Sequence, residues 1–133
     1  LVRKICPSCR DSYEPDAETK AFLGENGFAE SKLYRAKGCL TCRKTGYSGR
    51  TAIHEIMTIS DEIHGLILKS ASARDIRYAA IRAGMRTMRA DGIIKAVKGV
   101  TTMDEVLRLT RSEDVGMALA DGADSLISLG SKM

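Results

Sequence analysis

"CPSC", residues 6–9, returns as "CLTC", residues 39–42, and these four cysteines are the only ones in the chain. A C-x-x-C pair sets two thiolates on one tight turn. Two such turns brought face to face offer four sulfurs at tetrahedral corners, the donor set of a structural zinc site. Cys42 is followed by Arg43, Lys44, Thr45 and Gly46, so the second turn has cations to offset thiolate charge and a glycine free to turn the chain. Three other uses compete. Two disulfides suit a secreted protein, but no export signal is visible ahead of Cys6. A redox pair needs one C-x-x-C at a helix start beside a strand, a setting not found here. Four unrelated buried cysteines would not be expected to fall into two equal spacings. Cys6, Cys9, Cys39 and Cys42 are therefore expected to hold Zn2+ with no open coordination position.

The loop between the pairs, Arg10 to Gly38, has 29 residues and must hold some structure of its own. Ala17, Ala21 and Phe22 fall at near-helical spacing with Gly24 and Gly27 behind them, which predicts a short helix from about Asp16 to Leu23. "KLYRAKG", residues 32–38, reads as an extended stretch leading into Cys39. In so small a module metal binding is worth on the order of 10 kcal/mol, more than its few apolar residues supply.

Charge is uneven. Lys32, Arg35, Lys37, Arg43, Lys44 and Arg50 occur between Ser31 and Arg50 with no acid among them. This basic strip suits an acidic protein face or a nucleic acid, and equally a solvated surface beside a negative thiolate cluster. Tyr34 and Tyr47 are the aromatic residues that could stack on bases. Over all 133 residues, 21 basic and 17 acidic side chains give a net charge of +4 with 44% hydrophobic content, ordinary values that force neither a nucleic-acid nor a membrane role. No apolar run approaches the roughly 20 residues of a membrane span, so a cytoplasmic location is expected. The chain opens on Leu1 and enters its first motif at once, which suggests a piece of a longer protein.

Beyond the second turn, "GRTAIHEIMTIS" (residues 49–60) brings Thr51, Ile53 and Ile56 to Ile59 into a partly alternating run that predicts a strand. Helices follow. Ser60 can cap a segment opening with Asp61 and Glu62, with Ile63, Leu66 and Ile67 on one face and an end near Ser70. Ser72 and Asp75 form a possible capping box ahead of a stripe of Ile76, Ala80 and Ala83. A third helix aligns Ile93, Val97 and Val100 and ends at Gly99, with Gly92 expected to weaken its middle by nearly 1 kcal/mol. Thr102 and Glu105 make a second capping box ahead of Met103, Val106 and Leu107. The tail from Arg111 to Met133 carries two basic and four acidic residues and reads as a frayed helix passing into disorder. The expected fold is α+β: a tetracysteine zinc module over 1–50, a strand plus helical subdomain over 51–110, and the tail over 111–133.

Recognisable catalytic patterns are absent. None of the twelve glycines is followed by lysine, so there is no phosphate-binding G-x-x-x-x-G-K-[ST] loop, and His54-Glu55 lacks the second histidine of H-E-x-x-H. His54 and His64 read as structural. Arg50 and Glu55 could pair at the strand or at a subunit boundary, or form a surface ion pair worth at most about 1 kcal/mol.

Three segments occur together and in order: the tetracysteine module, G-Y-x-G-R-x-x-x-x-E (Gly46, Tyr47, Gly49, Arg50, Glu55), and D-G…G-x-T-T-x-D-E-V from Asp91 to Val106. From Leu1 to about Thr110 the sequence resembles the carboxy-terminal part of the cytoplasmic ATPases of type II secretion and type IV pilus assembly. The resemblance implies a hexameric motor whose RecA-like core binds ATP and Mg2+ upstream of the cysteine module. It also implies partners in the rest of that ATPase, in neighbouring subunits and in an inner-membrane platform, with peripheral attachment to that membrane and no nucleic acid. These residues would carry the metal module and the last helices without the ATP-binding loop, so they should not hydrolyse ATP alone. The alternative is a free-standing zinc ribbon that binds nucleic acid through residues 31–50.

Overall fold

The computed structural model describes residues 1–110. Each cysteine turn is entered by one short strand and left by another. β1 (Val2–Ile5) runs into Cys6 and β2 (Arg10–Tyr13) leaves Cys9; β3 (Leu33–Ala36) runs into the second turn and β4 (Tyr47–Thr51) leaves it. β1 pairs antiparallel with β4, in register Val2↔Thr51 and Ile5↔Tyr47, and β2 pairs with β3 from Arg10↔Ala36 to Tyr13↔Leu33. Two separate ladders therefore clamp the two turns together from opposite sides. The extended stretch expected before Cys39 is β3.

α1 (Ala17–Glu25) fills the long loop, capped by Asp16, whose carboxylate accepts from the Thr19 N–H at 2.7 Å. α2 (Asp61–Leu68), α3 (Ala73–Arg82), α4 (Met88–Val97) and α5 (Met103–Leu109) follow. Each begins at a hydroxyl that accepts a first-turn N–H: Ser60, Ser72, Thr87 and Thr102. Such caps satisfy donors that no helix can pair internally, which explains why short helices start where they do. The fold is α+β, with α1 between the two cysteine pairs and α2 to α5 after them. The tail expected to fray lies outside the described residues.

The strand expected from Thr51 to Ile59 ends at Thr51. Its partner β1 is four residues long and runs out at Val2, so the following backbone has no ladder to join. Ile53 is buried, whereas Ile56 and Ile59 are more than half exposed. Exposure also corrects three helix stripes: Ile67, Ala83 and Leu107 lie on the outer faces.

Two apolar clusters result. The larger joins Leu23 and Leu33 to Ile93, Ala96, Met103 and Val106, with Tyr13, Phe22, Phe28 and Val97 packed against it. It draws on both sides of residue 50. The smaller lies between α2 and α3, around Ile63, Ala79, Ala80 and Met85. Gly92, expected to be a weak point, is a contact point. A Cβ there would stand 2.6 Å from Cγ1 of Val106, so the missing side chain is what lets α4 and α5 approach.

Candidate metal centre

The sulfurs of Cys6, Cys9, Cys39 and Cys42 all lie within 4.8 Å of one another. Cys6 to Cys39 is 3.9 Å, Cys9 to Cys42 3.8 Å and Cys39 to Cys42 3.7 Å. These are not disulfides, whose sulfurs stand about 2.05 Å apart. They match the tetrahedron edge of about 3.8 Å that metal–sulfur bonds of about 2.3 Å require. The four cysteines thus form a group that could hold a metal ion.

The backbone builds this cage. Cys9 N–H donates to the Cys6 carbonyl at 3.3 Å to close the first turn, and Lys44 N–H donates to the Cys39 carbonyl at 2.7 Å to close the second. Arg43, Lys44 and Gly46 take left-handed φ values of 53°, 61° and 78°, which curl the chain back so that its amides face the sulfur. Cys39 N–H and Gly46 N–H both donate to Sγ of Cys42, each at 3.2 Å. The turns are then tied to each other by Cys6 N–H donating to the Gly46 carbonyl at 2.9 Å. A Cβ on Gly46 would meet Cβ of Ala36 at 2.6 Å, so a side chain there would push the second turn off β3.

Electrostatics follow from these donors. Backbone amides bring the Cys42 thiol down to about 6 and lower Cys39 as well. Burial, reinforced by the neighbouring thiols, pushes Cys9 up to about 12. Four sulfurs this close cannot all ionise against one another without a cation among them, so a metal ion placed between them would favour their thiolate forms.

Arg50 and Glu55, which the sequence suggested could pair, do not meet within the described residues. The Glu55 carboxylate accepts from the Met88 N–H at 2.9 Å, at the start of α4, and from Arg77 at 3.5 Å. Arg50 is exposed on β4 opposite Arg3. In the basic strip, Arg35 and Lys37 share Asp11 at 2.8 and 3.2 Å, and Lys32 reaches Glu14 at 3.9 Å. Tyr34 and Tyr47 each have an arginine over the ring, Arg10 at 5.1 Å from the first and Arg3 at 4.0 Å from the second.

Glu105 does more than the capping its position in the sequence suggests. Its N–H does donate to Thr102 Oγ1, but its carboxylate turns away from the cap to Arg3. The Thr101 hydroxyl donates to the Arg3 carbonyl at 2.7 Å, Ile5 N–H donates to the Val100 carbonyl at 2.9 Å, and the Tyr47 and Thr102 hydroxyls meet at 3.1 Å. The G-x-T-T-x-D-E segment is thus the lashing that holds β1, and with it Cys6, against the helices. The motif was visible in the sequence; its partner 102 residues away was not.

The family model for type II/IV secretion system proteins matches residues 1–108. The chain is 45% identical over 112 residues to the type IV pilus assembly ATPase PilB of Thermus thermophilus, covering 83% of this chain and 13% of that protein. It is 41% identical over 113 residues to the type II secretion system protein E of Pseudomonas aeruginosa, covering 85% and 22%. To the type II secretion system ATPase E of Vibrio cholerae it is 38% identical over 111 residues, covering 84% and 22%. The chain therefore spans less than a quarter of the length of these relatives. It belongs to the type II/IV secretion system protein family.

Proposed function

We propose that these residues are the metal-stapled part of an ATPase that powers protein secretion or pilus assembly. The observation that carries this reading is the convergence of four thiols at tetrahedral spacing within a chain whose relatives include proteins named as such ATPases. Zn2+ is the ion that suits four thiolates in a closed tetrahedron, and with four sulfurs bound there is no position left for a reacting water. The role is architectural. Cys6, Cys9, Cys39 and Cys42 hold β1 to β4 and β2 to β3, and so fix a rigid knob to the α4–α5 core.

ATP and Mg2+ would be bound by other residues of the parent motor, since these 133 contain no phosphate-binding loop. Neighbouring subunits of a hexamer and inner-membrane platform proteins are the partners proposed, with work done on the cytoplasmic side of that membrane. The free-standing nucleic-acid reading loses support from the neutralised part of the basic strip.

The test is elemental analysis of purified chain together with Cys39→Ser in the intact gene. About one zinc per chain is expected, with loss of secretion or piliation in the variant. Metal-free wild-type protein of unchanged fold would sink the proposal, and so would sub-micromolar, salt-dependent binding to DNA or RNA.

A further inference from the structure

We propose that the tip of the second cysteine turn, Leu40 with Arg43 and Lys44, docks an acidic protein segment that carries an apolar side chain. This deepens the preceding proposal and rests on it, because it names the surface by which the metal module meets a partner of the motor.

Leu40 is 86% exposed, more than any other large hydrophobic among the described residues. Its backbone is nonetheless held fast. Leu40 lies between two cage cysteines, its carbonyl accepts from Arg43 N–H at 3.0 Å, and Gly38 presses close against the Lys44 carbonyl. A leucine fixed in water gains nothing for this fold, but burying it against a partner removes its apolar surface from water and favours binding. Because the turn is already rigid, little entropy is lost on docking.

Beside it stand two exposed cations. Asp11 and Glu14 take up Arg35, Lys37 and Lys32, whereas among the described residues no carboxylate pairs with Arg43 or Lys44. Their backbone makes the choice of residue informative. At φ of 53° and 61° a glycine or asparagine would fit with less strain than a residue with a longer side chain. The turn carries an arginine and a lysine there regardless. An apolar knob flanked by two unpaired cations is complementary to an anionic segment with an apolar anchor. One leucine inserts too little surface to hold the module on a lipid bilayer by itself, so a protein segment is favoured over a membrane.

The experiment measures fluorescence anisotropy of a labelled peptide, one leucine flanked by glutamates, titrated with the full 133-residue chain at low salt. A peptide with glutamines in place of the glutamates should bind about tenfold more weakly. Leu40→Ser and Arg43→Gln/Lys44→Gln should each weaken binding about fivefold or more with metal content unchanged. Lys69→Gln/Arg82→Gln, which removes the same charge far from the tip, should bind as wild type. Three results overturn the proposal: tip variants that bind like wild type, remote variants that weaken binding equally, or tip-dependent binding to vesicles of phosphatidylcholine and phosphatidylglycerol in place of the peptide. Metal is measured on the same samples. A chain that holds zinc but ignores the peptide fails this inference alone, and a chain without metal fails both, since nothing then fixes the tip.

Discussion

Arg3 grips Glu105 with both its backbone and its side chain: the N–H donates to Oε2 at 3.0 Å and Nη2 donates to Oε1 at 2.7 Å. Arg108 adds a second cation at 3.2 Å, and the Glu105 side chain is 2% exposed. A buried carboxylate is tolerable only when its lone pairs are filled, and here three donor groups fill them. This contact ties the strand that delivers Cys6 to the last described helix.

The same contact makes stability depend on pH. The Arg3 side chain, first among the causes, brings the Glu105 carboxyl from its ordinary 4.5 down to about 2. A depressed carboxyl stabilises the fold fully above its unfolded value. That contribution fades as pH falls from about 4.5 toward 2, and it amounts to at most about 3 kcal/mol. Glu105→Gln should therefore be less stable than wild type at pH 7 in urea unfolding, with the gap closing over that acidic window. Release of the proposed metal in acid would affect both proteins, so the difference between them is the quantity to follow. A gap that stayed constant with pH would contradict the assignment.

Gly92→Ala should destabilise, against the rule for helices. In an isolated helix alanine gains nearly 1 kcal/mol over glycine. Here the new methyl would press on Val106, a stiff β-branched side chain that is fully buried, and overpacking of this kind costs about 1–3 kcal/mol. Thermal unfolding should show a lower Tm for Gly92→Ala and partial recovery when Val106→Ala is added. A raised Tm for the single variant would mean that α4 and α5 are not held this closely.

What could be read from the sequence was local chemistry. The two C-x-x-C spacings announced the cage, and Ser60, Ser72 and Thr102 announced three helix starts, because a turn and a cap each depend on residues close in the chain. What could not be read depends on distant partners. Ile53 to Ile59 alternate like a strand, yet nothing in that alternation says that β1 stops at Val2 and leaves them unpaired. β1 and β2 are four residues each, too short for a periodic signal, and exist because the turns align them. Gly92 looked costly because propensity is a property of one helix, while its contact with Val106 belongs to two. Glu55 looked like a partner for Arg50, five residues away on the same segment, and instead reaches across to α3 and α4.

Glu55 therefore yields a prediction that separates the two pairings. Its carboxylate accepts from the first N–H of α4, where negative charge is favoured by the helix dipole, so Glu55→Ala should cost about 1 kcal/mol and speed hydrogen exchange at the Met88 amide. In double-mutant cycles it should couple to Arg77 by about 0.3–0.5 kcal/mol and not to Arg50. Coupling to Arg50 with none to Arg77 would restore the Arg50–Glu55 pairing expected from the sequence.

Metal removal should unmake the molecule unevenly, because the cage is joined to one apolar cluster and not to the other. β3 delivers Cys39 at one end and contributes Leu33 to the cluster of Ile93, Met103 and Val106, so slack in the second turn is passed into α4 and α5. The α2–α3 cluster around Ile63 and Met85 shares no residue with that path. With Zn2+ bound as proposed, a chelator at neutral pH would withdraw on the order of 10 kcal/mol from the module. Hydrogen exchange should then show the Cys6 and Gly46 amides losing protection first, those of α4 and α5 losing part of theirs, and those of α2 and α3 changing least. Cys39→Ser should reproduce this order without chelator. Equal loss in all helices would mean that the two clusters unfold as one unit, and unchanged protection at Cys6 and Gly46 would mean that the strand ladders alone hold the cysteine turns together.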